Sequence, residues 1–140
     1  MKYWAIIILK KNENLTMNKV LIILSLIFSS PSNALENEDY YNRQFCAQES
    51  GQLEYKLSDK SRVDCLTDTH AYEADWADGL KVYESIGQSL YYAAETGKNP
   101  GILLLVRKKS SDKHIRKVKR VIENWKLPIK LVVQDVGRAN

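Results

Sequence analysis

The sequence predicts an α/β domain in which a three-strand meander is followed by helix, strand, helix and strand, giving a mixed sheet flanked by helices. Three observations predict it. Residues 52–76 hold three short runs of two-residue alternation, separated by Ser58-Asp59-Lys60-Ser61 and Thr67-Asp68-Thr69, compositions that turn a chain. Residues 101–107 (GILLLVR) are almost continuously apolar, as suits an interior strand covered on both faces and paired in parallel. Apolar residues recur at spacings of three and four over 79–96 and again over 111–126, the helical period.

The chain opens with residues that the reading excludes from the fold. From Met17 there follow Lys19, the apolar run 20–28 (VLIILSLIF) and the small residues Ser32-Asn33-Ala34. This is the layout of a secretory signal peptide over 17–34, with cleavage expected after Ala34 and an apolar run too short to span a bilayer. Residues 1–16 read as an over-called start or an extended n-region. No stable membrane span is expected after cleavage, and the expected location is the periplasm or the cell exterior.

Residues 35–140 are then a single domain. Of 21 basic and 17 acidic residues, four and one lie in 1–34, leaving 17 against 16. Bulk charge therefore argues for no particular partner. The two cysteines of the chain, Cys46 and Cys65, are expected to pair in an oxidising compartment. Closing a loop of about 20 residues contributes roughly 3 kcal/mol in the chain-entropy account.

In order, 35–50 reads as a loose entry segment with a helical turn or two around 41–48. Gly51 opens a first strand over 52–57, where Leu53, Tyr55 and Leu57 alternate with Gln52, Glu54 and Lys56. The second strand, 62–67, turns Val63 and Cys65 one way and Asp64 and Leu66 the other. The third, 70–76, carries Glu73 and Asp75 on one face, within reach of one ion. The helix over 79–96 is expected to bury Leu80, Tyr83, Ile86, Gly87, Leu90, Tyr91 and Ala94, and to end at Gly97 ahead of Pro100. After the apolar strand, Ser110 or Ser111 can cap a second helix running to about Lys126, with Ile115, Val118, Val121, Ile122 and Trp125 inward. A last strand covers 129–133, and 137–140 reads as a tail. His70 and His114 are expected at the surface.

RVDCLTD at 62–68, YEAD at 72–75 and IGQSLYYA at 86–93, followed by TGKNPGILL, resemble the PD-(D/E)xK, or restriction-endonuclease-like, nuclease superfamily. More narrowly they resemble small exported bacterial proteins of unassigned function thought to carry that fold. The resemblance covers about half of residues 35–140. It implies a metal-dependent nuclease acting on DNA or RNA, with Glu54 as the acid preceding the core, Asp64 as the metal-binding aspartate, Glu73 as the third-strand acid and Gln88 as a helix residue bonding near the site. Where the family motif has Glu-x-Lys, this chain has Glu73-Ala74-Asp75, so Lys56 or Lys81 is left to supply the ammonium.

The chemistry asks for that set. Mg²⁺, or Mn²⁺ in its place, takes oxygen ligands and keeps several waters, so two or three carboxylates from Glu54, Asp64, Glu73 and Asp75 suffice to hold it. A nearby lysine offsets charge on the phosphoryl oxygens. The competing reading places Asp64 and Glu73 on a solvated face, paired with Lys56 or Arg62 across the hairpin, and makes Gln88 a helix-to-strand tie. Separately, residues 107–120 (RKKSSDKHIRKVKR) hold eight basic residues and one acid. On a helix, Lys113, Arg116, Lys117 and Arg120 share one exposed face, a stripe able to follow a phosphate backbone, to solubilise the chain or to meet anionic lipid. A non-catalytic binding or structural module on the same fold is the alternative function.

Overall fold

The computed structural model describes residues 37–139; the expected signal segment lies outside them. Asn37 starts the first helix, α1 (Glu38–Gln48), because its side-chain oxygen accepts the Tyr40 amide at 3.0 Å, satisfying a donor the helix itself cannot reach. Three strands follow, β1 (Gln52–Lys56), β2 (Arg62–Leu66) and β3 (His70–Trp76), each antiparallel to the one before. A 3₁₀ turn at Leu80–Tyr83 leads into α2 (Glu84–Thr96), which ends on Gly97 in the left-handed conformation at φ 66°. Strand β4 (Asn99–Lys108), a second 3₁₀ turn at Lys109–Ser111, α3 (Asp112–Asn124) and β5 (Lys130–Ala139) complete the domain.

The sheet order is β1-β2-β3-β4-β5, antiparallel across the first three strands and parallel from β3 to β5. This is the α/β meander-then-crossover order that the periodicities predict. Two outcomes differ at the chain's end and entrance. Residues expected to form a tail continue β5 to Ala139 in parallel register with β4, and Val136, beyond the expected end, packs with Val132 against the α1-side core. The loose entry segment is an 11-residue helix.

Strand β4 is the centre of the core. Ile102, Leu104 and Val106 pack with Val82, Ile115, Val118 and Ile129 on the α2/α3 side. Leu103 and Leu105 pack with Phe45, Cys46, Tyr72 and Ala74 on the α1 side. All five β4 residues are fully buried, which is why the strand reads as an unbroken apolar run rather than an alternating one. Cys46 on α1 joins Cys65 on β2 (S–S 2.09 Å, Cα–Cα 5.5 Å), so α1 is bolted to the antiparallel half of the sheet. Among the described residues no helix is long and apolar enough to cross a membrane.

The buried face of α2 is only in part the one that its apolar spacing predicts, since Ile86 and Leu90 pack against the core as expected. Val82, Ser85, Ser89, Tyr92 and Ala93 turn inward, while Leu80 is 74 % exposed and Tyr83 and Tyr91 lie at the surface. The reason is the 3₁₀ turn over residues 80–83. It winds at three residues per turn instead of 3.6, so Leu80 and Tyr83 are out of phase with the helix they precede. His114 likewise is buried rather than exposed, since it sits four residues before Val118 on the inward side of α3.

Candidate functional site

The pairing of β2 with β3 stops early. Cys65 faces Tyr72 and Leu66 faces Ala71, and beyond them β3 continues for four residues without β2 alongside. The β3 amides that would have bonded to β2 are taken by carboxylates instead. Asp64 Oδ2 accepts the Ala74 amide at 2.8 Å, and Asp75 Oδ1 accepts the Trp76 amide at 2.7 Å. Glu38, from the first turn of α1, comes close enough to the Trp76 amide for its charged form to be favoured by it. Side chains thus replace a strand along the open half of the β3 edge.

Local backbone conformation makes room for this. Glu54, opposite Asp64 on β1, has φ 54°, a region that non-glycine residues seldom occupy, and the pair 54/64 is missing from an otherwise regular register. The carbonyl oxygen of Asp64, left without its strand donor, accepts from Asn42 Nδ2 at 3.2 Å. Asn42 stands one turn after Glu38 on α1 and is itself buried, with its Oδ1 atom lacking a hydrogen-bond partner among the described residues.

Four carboxyl groups therefore gather where β2 and β3 part: Glu38, Asp64, Glu73 and Asp75. Glu73 is 7 % exposed. Burial, then the charge of Asp64 and its hydrogen bond, push it up to about 9, with Asp75 and Glu38 adding to the effect. Glu38 is pushed up to about 7, again by burial first and then by Asp75 and Asp64. Burial raises Asp64, against the Ala74 amide that stabilises its charge, and burial likewise raises Asp75 against the Trp76 amide and Ser85. Four desolvated acids cannot all ionise together, so a proton is retained unless a cation stands in for it.

Comparison with protein-family models, with curated proteins and with solved structures finds no match. The site must be read from its own geometry. Of the residues singled out in the sequence, Asp64, Glu73 and Asp75 are brought together. Glu54 lies beside them, close enough for its charge to raise Asp64, but its carboxylate is held by Arg62 at 2.7 Å. Lys81 is the cation whose charge reaches Glu38 and Asp75. Lys56 sits at the exposed end of β1 opposite Arg62. Gln88 Nε2 donates to Tyr92 Oη at 3.4 Å, and Tyr92, buried under α2, feels the charges of Glu73 and Asp64. Gln88 thus approaches the acids through Tyr92.

As arranged, no three His, Cys, Asp or Glu side chains among the described residues form a group that could hold a metal ion. Of the two- or three-carboxylate sets expected from the sequence, a two-carboxylate set is the one that remains: Asp64 and Glu73 act on each other directly, and a hard divalent cation bound through one or two carboxylates, with waters completing its shell, needs no more. The residues that sequence reading missed are Glu38 and Asn42. A signal for them existed, since Asn37 ahead of Glu38-Asp39 is a helix-start pattern, and a helix begun there puts 38, 42 and 46 on one face.

Proposed function

We propose that the chain is an exported, metal-dependent phosphodiesterase with a restriction-endonuclease-like core of the PD-(D/E)xK type, acting on nucleic acid. The observation that carries this reading is the parting of β2 from β3 at a cluster of buried acids, with Asp64 and Glu73 in contact and one lysine, Lys81, felt by the cluster. The disulfide accords with an oxidising compartment.

In this reading Asp64 and Glu73 hold the Mg²⁺ or Mn²⁺ ion. The ion, when bound, supplies Lewis acidity and a water of lowered pKa. Glu73 gives up its proton on binding, and Asp75 and Glu38 keep hydrogen-bonding capacity for waters around it. Lys81 takes the place of the absent motif lysine and offsets charge on the phosphoryl oxygens. Gln88 and Tyr92 orient Glu73 from the α2 side.

The test is cleavage of labelled single- and double-stranded DNA and RNA with Mg²⁺, Mn²⁺ or chelator, beside Glu73→Gln prepared identically. Activity that requires metal and falls by about 10²-fold or more in the variant supports the reading, a loss typical for removal of a group that stabilises the transition state. Activity that survives the substitution refutes it. A non-catalytic binding or structural module is the second reading, favoured by the acid at position 75 where the motif has lysine and by the absence of a three-carboxylate group among the described residues. Absence of cleavage under every condition selects it.

A further inference from the structure

The carboxylate cluster ends at Trp76, and a chain of basic residues begins there. The Arg107 guanidinium lies 4.0 Å from the centre of the Trp76 ring, and its Nε donates to Asp78 Oδ2 at 2.7 Å. Lys108 Nζ shares the same oxygen at 3.2 Å. Lys108 and Lys109 are exposed at the end of β4 and lead into α3. There Lys113, Arg116, Lys117, Lys119 and Arg120 are all exposed, and none of them enters an ion pair among the described residues. A 13-residue helix is about 20 Å long. The cations follow it away from the end of the sheet that carries Asp75.

We infer that this face of α3 is an exosite for the phosphate backbone of a nucleic acid, engaging phosphates remote from the carboxylate cluster. Over about 20 Å, one strand of a duplex presents roughly six phosphates, a number comparable to the five helix cations, and Lys108 and Lys109 continue the track toward Trp76. The consequence is a length threshold: oligonucleotides too short to reach from the acids onto α3 bind weakly, and longer ones bind through both.

An anionic bilayer fits the face less well. The aromatic of this helix end, Trp125, is 77 % exposed. Expected inward from the sequence, it instead stands exposed at the C-cap of α3, past the last turn and not among the cations of 113–120. The basic face therefore offers charge without an apolar residue to insert, whereas interfacial helices combine the two.

The inference rests on the phosphodiesterase reading only for what happens at the acids, so binding is measured without cleavage. Fluorescence anisotropy of the disulfide-bonded protein, in chelator and from 50 to 200 mM KCl, would use labelled 6- and 30-nucleotide strands and a 30-base-pair duplex. Arg116→Gln/Arg120→Gln is compared with Lys56→Gln/Lys60→Gln, which removes the same charge at the exposed β1 hairpin. The expected result is length-dependent binding whose log–log salt slope is shallower by roughly two in the α3 variant alone, with Kd at 50 mM raised roughly tenfold. Equal weakening in both variants would reduce the effect to bulk charge and overturn the exosite. Failure to bind any nucleic acid, with Arg116- and Arg120-dependent sedimentation on phosphatidylglycerol vesicles, would overturn it in favour of a lipid surface. Binding that meets the expectation in a protein that never cleaves would leave the exosite standing and remove the enzyme.

Discussion

Glu73 is a carboxyl group placed where water scarcely reaches and where its nearest neighbours are other acids. Its ordinary value of 4.5 is raised to about 9 in the fold. Between those values the folded chain holds a proton that the unfolded chain has released, so stability falls as pH rises through that window and levels off above it. Glu38, raised from 4.5 to about 7, adds to the slope in the lower half. Thermal melts from pH 5 to 9 should therefore show a falling Tm. Glu73→Gln, which keeps shape and hydrogen-bonding capacity without charge, should flatten the fall and raise stability at pH 8 by on the order of 1–3 kcal/mol. A variant with an unchanged slope would show that another group carries it. Asp64 has a different role, since its oxygen stands in for a strand at the Ala74 amide. Asp64→Asn retains an acceptor and should be tolerated, whereas Asp64→Ala leaves the amide unpaired and should cost about 1–3 kcal/mol in urea unfolding.

At the scale of elements, the strands were legible and the helix faces were less so. Alternation located β1 to β3 to within a residue, although only β2 sorts its burial by parity and β3 is buried on both faces from Ala71 to Ala74. The inward face of α2 was legible only at Ile86 and Leu90, because a 3₁₀ turn and an α-helix run together without punctuation and shift the phase between them. The site followed the same division. Asp64, Glu73 and Asp75 lie on strands and could be placed, while Glu38 and Asn42 come from a helix whose start rests on the Asn37 cap. The two glycines flanking the site region make opposite predictions. A Cβ at Gly101 would run into the ring of Tyr72, which is fully buried and cannot yield, so Gly101→Ala should lower the urea midpoint by the equivalent of about 1–3 kcal/mol. A Cβ at Gly87, within α2, would meet nothing within 4 Å, and Gly87→Ala should stabilise by roughly 0.5–1 kcal/mol.

At the scale of the molecule, the sheet is asymmetric. Its strand β4 is covered on both faces, by α2 and α3 on one side and by α1 on the other, and its antiparallel half is tied to α1 by the disulfide. Gly51 sits beside the two sulfurs, where a Cβ would come within 2.8 Å of Cys46 Sγ, so the turn from α1 into β1 has no room for a side chain. Cys46→Ala/Cys65→Ala should lower unfolding free energy by about 3 kcal/mol, read by urea denaturation. The loss should appear as loosening of α1 against β2, and because α1 delivers Glu38 and Asn42, any metal-induced rise in Tm should shrink with it. A disulfide variant with full stability and an intact metal response would separate α1 from the site.

The strand edge lined by Glu38, Asp64 and Asp75 also bears on how the molecules treat one another. A β-strand with free amides invites a strand from another chain, and folded proteins guard such edges with charge or with side chains that occupy the donors. Here two β3 amides are already bonded to carboxylates, and an incoming strand would have to displace acids before it could pair. The carboxylates that hold these amides thus also guard the edge, so removing an acceptor, as in Asp64→Ala, should expose β3 to self-association.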